Sequence, residues 1–140
     1  MNRISADDDR FRRAFEALEV PPAEFDHAAH VRLAYIYLCE GSIEDAVAKM
    51  KTALLAFIAH LGIAPEKYHE TITRAWIMAV DHFMRQSPAC ASAADLLRRH
   101  PQLLDSKIML THYSADLLFS DQARAEFVEP NLDPIPHHAT

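Results

Sequence analysis

Ile43, Val47, Met50, Leu54, Phe57, Ile58 and Leu61 recur at steps of three and four along one uninterrupted stretch. That spacing gathers apolar side chains on one face of an α-helix, and a strand, whose faces alternate at every residue, cannot reproduce it. The same period places Phe11, Phe15 and Leu18 together, and it returns in the segments that open near Asp26 and Pro65. No segment alternates with period two over a useful length, so the expected fold class is all-α.

Capping signals divide the chain. Asp26, Ser42, Ser92 and Ser120 each stand just before a helical pattern, where a short oxygen-bearing side chain accepts from a free backbone N–H. Pro65 suits the first position of a helix, and Ser87-Pro88 and His100-Pro101 mark stops. The glycines, Gly41 and Gly62, follow apolar segments where a helix end calls for a left-handed residue. Helices are expected over about 6–18, 26–39, 42–61, 66–85, 92–99 and 106–119, with a last turn or two after Ser120. This makes a single-domain helical bundle of about five to six helices over residues 1–128. The stretch EPNLDPIPHHAT, residues 129–140, is too rich in proline to be regular. It is expected to lie extended on the surface or fray, with His137 and His138 exposed.

Composition narrows the function. A chain of 140 residues that is 50% hydrophobic can bury a core without disulfide or metal staples. Its net charge of -6 argues against a nucleic-acid or anionic-membrane surface, and the short basic runs at Arg10–Arg13 and Arg98-Arg99 read as solvated faces. No apolar run approaches the roughly 20 residues needed to span a bilayer. Cys39 and Cys90 follow no metal or redox spacing, and the charged start does not resemble a secretion signal, so a cytoplasmic location is expected. Two glycines leave no phosphate-cradling loop, and no G-x-S-x-G elbow occurs.

The chemistry-bearing pattern is histidine. At about 100° per residue, His27 and His30 lead the apolar line that continues through Ala34 and Leu38, and His69 leads another through Thr73, Trp76, Val80 and Phe83. By contrast, His60 and His82 fall off these lines and read as surface residues. Short connections favour antiparallel neighbours, so the segment after Asp26 and the one after Pro65 run in the same direction. With about 1.5 Å of rise per residue, their histidines come to similar heights. A helix start disfavours an imidazolium, and a neutral ring can ligate a metal or act as a base.

His27, His30 and His69 with one oxygen donor would form a site for a divalent transition metal, Zn, Fe or Cu, supporting chemistry on a small molecule. Glu66, Glu70 and Tyr113 are the candidates for base, donor or supporting partner. Glu24 and Glu66 each precede a histidine by three, which is half of a two-metal carboxylate set, but the completing glutamates are not evident. Two other readings compete. One is a metal-free small-ligand or acid-base site built on neutral histidine. The other is a helical interaction module without chemistry, a homodimer being its simplest form. Tyr35, Tyr37, Tyr68 and the run from Thr111 to Ser114 are placed to close over the helix ends. Arg32 and Arg74, off the histidine lines, suit surface ion pairs better than ligand binding.

Overall fold

The computed structural model describes residues 1–136, and helices are its only regular structure; no strand occurs among the described residues. His137 and His138 lie outside the described residues. Seven α-helices follow one another: α1 (Ala6–Glu16), α2 (His27–Cys39), α3 (Ile43–His60), α4 (Glu70–Gln86), α5 (Ala93–Arg99), α6 (Ala115–Leu118) and α7 (Asp121–Ala125). Short 3-10 turns fill several of the connections. No helix among the described residues is long and apolar enough to cross a membrane.

The centre is α2. Every residue from Leu33 to Leu38 is buried, as expected of a helix apolar on all sides and enclosed by neighbours. α3, with Val47, Met50 and Phe57 buried, and α4, with Ala75, Ile77 and Val80 buried, each pack against α2 and against each other in one core. Burying one such side chain contributes about 1.5–3 kcal/mol, so these three helices hold most of the apolar stabilisation.

The parallel arrangement of α2 and α4 expected from the short connections is present, and the two pack side by side. At one end His27 meets Trp76, ring centroids 4.5 Å apart, and at the other Leu38, Cys39, Asp81 and Met84 line a common cavity.

α1 lies across the bundle and closes it with aromatic contacts: Phe15 sits 4.5 Å from Phe25 and 4.9 Å from Phe57, centroid to centroid. Its anchor is Asp8, only 1% exposed. Burial pushes this carboxyl up, but the N–H groups of Ser5 and Ala93 and the Arg32 guanidinium outweigh it, and the pKa is lowered. One carboxylate thus ties α1 to α2 and α5.

Several boundaries differ from expectation. Pro65 opens only a 3-10 turn, Pro65–Lys67; Tyr68 and His69 are extended, and α4 starts at Glu70 rather than Glu66. The helix expected over 106–119 is broken into a 3-10 turn, Ile108–Thr111, and α6, because Ser114 caps a new start and Asn131 accepts its N–H. Gly62 has the left-handed backbone, φ +74°, but Gly41 does not. Gly41 is needed for space, since a Cβ there would lie 2.6 Å from a carboxylate oxygen of Asp45. The other left-handed residue is Leu18, φ 64°, just beyond α1.

Residues 129–136 do not fray. Leu132 donates its N–H to the His112 carbonyl, Asn131 bonds Ser114 and Ile135 is buried. The chain after α4 forms an arm that crosses the heads of α2 and α4, held by Thr71, whose hydroxyl donates to Glu126 and accepts from the Val128 N–H.

Candidate functional site

The heads of α2 and α4 are neighbours, as the histidine reading requires, yet each imidazole there has its own environment. At the first residue of α2, His27 Nε2 donates to the Leu103 carbonyl at 2.9 Å while its ring packs on Trp76. A carbonyl only accepts, so the proton sits on Nε2 and Nδ1 remains an acceptor.

One turn further on, His30 is half-buried and its ring is edge-on to Phe25; its backbone N–H donates to the Asp26 carbonyl, but its ring makes no hydrogen bond to a described residue. Burial, reinforced by neighbouring His27, lowers its pKa to about 4, so the ring is neutral.

His69 is fully engaged. Its Nδ1 accepts the Ile72 N–H at 3.1 Å and so caps α4. Nε2 therefore carries the proton and donates to the Leu118 carbonyl at 2.7 Å. Burial lowers its pKa, and the Arg124 charge adds to the effect against the Leu118 bond. With both nitrogens committed, His69 positions its neighbours rather than facing a ligand. Among the described residues no group of three or more His, Cys, Asp and Glu side chains is placed to hold a metal ion.

The other three candidates separate as well. Tyr113 is buried, its hydroxyl donating to the Val128 carbonyl at 2.7 Å, and burial pushes its pKa to about 12. It holds the C-terminal arm in place. Glu66 lines a cleft that histidine spacing does not reveal, and Glu70 is ion-paired with another of its lining residues, Lys51.

That cleft, about 430 Å³, is lined by Lys51 and Leu55 of α3, Pro65, Glu66 and Tyr68 of the turn before α4, and Asp121, Arg124 and Ala125 of α7. Tyr68 stands in its wall because the extended backbone between the Pro65 turn and the His69 cap turns the ring toward α3, where the Lys51 ammonium sits 5.6 Å from the ring centroid. Glu70, the first residue of α4, has a side chain 14% exposed, with Lys51 Nζ 3.3 Å from Oε1.

Two polar atoms here are buried without a hydrogen bond of full geometry, the Tyr68 hydroxyl and Glu70 Oε1, although Thr73 and Glu70 lie close enough to the phenol to act on its protonation. Lys51 matches the Glu70 charge without forming a hydrogen bond to Oε1. Burial pushes the Tyr68 phenol up to about 12, so it stays protonated at neutral pH and can donate. Leaving such a group unsatisfied costs about 1–3 kcal/mol, and native folds keep few of them. Tyr68 lines the cleft, and Glu70 lies behind it, its Oε1 3.3 Å from the lining residue Lys51; the two flank His69, which caps α4.

The sequence points to Glu66 and Glu70 and places Tyr68 as a closing residue, but it gives no sign of Lys51 and Arg124. Lys51 falls on the polar side of α3 and looks like solvated surface, and nothing around Arg124 in the sequence singles it out. The thiols are not nucleophile candidates: burial raises Cys39 to about 11 and also raises Cys90.

Compared with known proteins, the chain matches no family model, no curated protein and no solved structure.

Proposed function

We propose that this chain is a metal-free small-molecule-binding domain whose site is the cleft between α3, the Pro65–Lys67 turn and α7, with Tyr68 and Glu70 as its hydrogen-bonding pair. The observation that carries the reading is a pair of buried atoms without a hydrogen bond of full geometry, the Tyr68 donor in the wall of a cleft of small-ligand size and the Glu70 acceptor behind its Lys51. A ligand that satisfies both recovers a cost the free protein bears. Glu70, already charge-paired with Lys51, can also receive a proton from the ligand, which is the acid-base chemistry the site supports.

The test is a fragment screen by NMR on the full chain, repeated with Tyr68→Phe. Cleft-binding fragments should lose about tenfold in affinity when the hydroxyl is removed. Absence of any fragment that shifts the Leu55 and Ala125 methyl signals, or equal binding to both proteins, refutes the reading.

A second reading has one observation in its favour. His27 Nδ1 and the neutral His30 ring offer acceptors one helical turn apart, and no hydrogen bond to either is made among the described residues. We propose them as the protein's contribution to a divalent transition-metal site, Zn, Fe or Cu. Untagged protein would then retain about one equivalent of metal, lost in His30→Ala. Less than about a tenth of an equivalent, unchanged on adding metal, eliminates it.

A further inference from the structure

We infer that the cleft takes a small monoanionic carboxylic acid with an apolar body and a hydroxyl or amino group, the carboxylate held by Arg124 and the O–H or N–H received by Glu70. The inference rests on the cleft reading above and adds the chemical class of the ligand.

Arg124 carries the anionic half. Its side chain is half-buried, and its one hydrogen bond to the protein runs to the Lys67 carbonyl at 3.2 Å. No carboxylate of the described residues lies within ion-pair distance of it. Every other arginine reaches one, apart from Arg3, which is exposed. A guanidinium offers five donors in a planar fork that matches a carboxylate through two parallel bonds. A partly desolvated cation without a counter-ion is costly, and a ligand carboxylate removes that cost.

Lys51 does not compete for the anion, because its charge is matched by Glu70. Glu66 and Asp121 stand exposed at the rim, so the cleft and its surroundings carry three carboxylates against two cations. One negative charge can be held at Arg124; a dianion such as a phosphate monoester meets net repulsion.

The neutral half follows from Tyr68 in the wall and Glu70 behind Lys51. Glu70 Oε1 can only accept, so a ligand group that reaches past Lys51 to it must be a donor, while the protonated Tyr68 hydroxyl donates to the ligand oxygen or nitrogen that bears it. Leu55, Pro65 and Ala125 line the remaining wall, which favours an apolar body of about one ring.

Titration of the full chain with four probes, meta-hydroxybenzoate, benzoate, meta-hydroxybenzamide and phenyl phosphate, tests this, with the Leu55 and Ala125 methyl signals locating the bound probe. Meta-hydroxybenzoate should bind about tenfold more tightly than each of the other three. Its advantage over the amide should vanish in Arg124→Gln and persist in Tyr68→Phe. Its advantage over benzoate should persist in Arg124→Gln and shrink in Tyr68→Phe, where the bond to Glu70 is all that remains. Arg124→Lys, which keeps the charge without the fork, should fall between wild type and Arg124→Gln. If the amide or the phosphate binds the cleft as tightly as the acid, the ligand class is wrong while the site stands. If no probe shifts the cleft signals but unrelated fragments do, the class is likewise wrong. If nothing binds there, both readings fall.

Discussion

At the head of α2, an aspartate caps the helix, and the first histidine is tied to a backbone carbonyl and packed on tryptophan. At the head of α4 the cap is an imidazole; the groups on either side of it, Tyr68 and Glu70, are buried with atoms unsatisfied beside a cleft. Both heads carry the same Glu-x-x-His spacing, and they lie next to each other under one C-terminal arm. What separates them is whether the fold uses up their polar atoms. Residue type marks places where chemistry is possible; unsatisfied donors and acceptors mark where a ligand is expected.

The largest expected effect tests whether the head of α2 is a packed structural end. Trp76 is 3% exposed and supplies the surface on which His27 rests. Trp76→Ala should lower stability by about 3–5 kcal/mol in urea unfolding. A loss below about 1 kcal/mol would show this end to be loosely packed and free for another role.

Next comes the α4 cap. His69→Ala removes the acceptor for the Ile72 N–H and the donor to Leu118, and should cost about 1–3 kcal/mol. His69→Asn retains a capping oxygen and should recover part of it. Because His69 positions Tyr68 and Glu70, the alanine variant should weaken cleft binding while the asparagine variant preserves more of it. Equal binding by wild type and the alanine variant, measured where both are folded, would contradict the positioning role.

A smaller effect follows from pH. His30 has a pKa of about 4 in the fold against an ordinary 6.5, and His69 is also lowered, chiefly through burial. Between these values the unfolded chain binds protons that the native rings refuse, so stability falls as the pH drops from 6.5 toward 4, and the contribution of His30 levels off below that. Each ring contributes a slope of at most about 1.4 kcal/mol per pH unit, less where water reaches it. His30→Leu should flatten this part of the curve. An unchanged slope would mean that His30 is not held neutral, and the contrast between quiet and unsatisfied groups would have to be redrawn.

How far the sequence reveals these regions depends on the range of the interaction involved. The stripe of α3 and the caps at Asp26, Ser42, Ser92 and Ser120 are local, and they appear where their spacing places them. The start of α4 is hidden because its cap is a histidine, outside the usual capping set, preceded by an extended Tyr68. The break within residues 106–119 depends on Asn131, far along the chain. Similar heights for the three histidines can be read from helix lengths, but their bonding depends on carbonyls 49 and 76 residues away in a segment whose path has no periodic signature. Arg124 and Lys51 enter the cleft through tertiary placement alone.

The finest test of the comparison makes one substitution at two tyrosines. At Tyr113 the hydroxyl donates to the Val128 carbonyl, and Tyr113→Phe leaves a shielded carbonyl without its donor, which should cost about 1–2 kcal/mol. At Tyr68 the hydroxyl is buried without a hydrogen bond of full geometry, so Tyr68→Phe removes an unsatisfied group. Stability should stay within about 0.5 kcal/mol of wild type or rise slightly. If the Tyr68 hydroxyl and Glu70 instead satisfied each other in solution, the two substitutions would cost about the same, and the head of α4 would be as settled as the head of α2. Urea unfolding of both variants without added ligand decides the point, because a gain at Tyr68 alongside a loss at Tyr113 is the signature of a polar group kept for something other than folding.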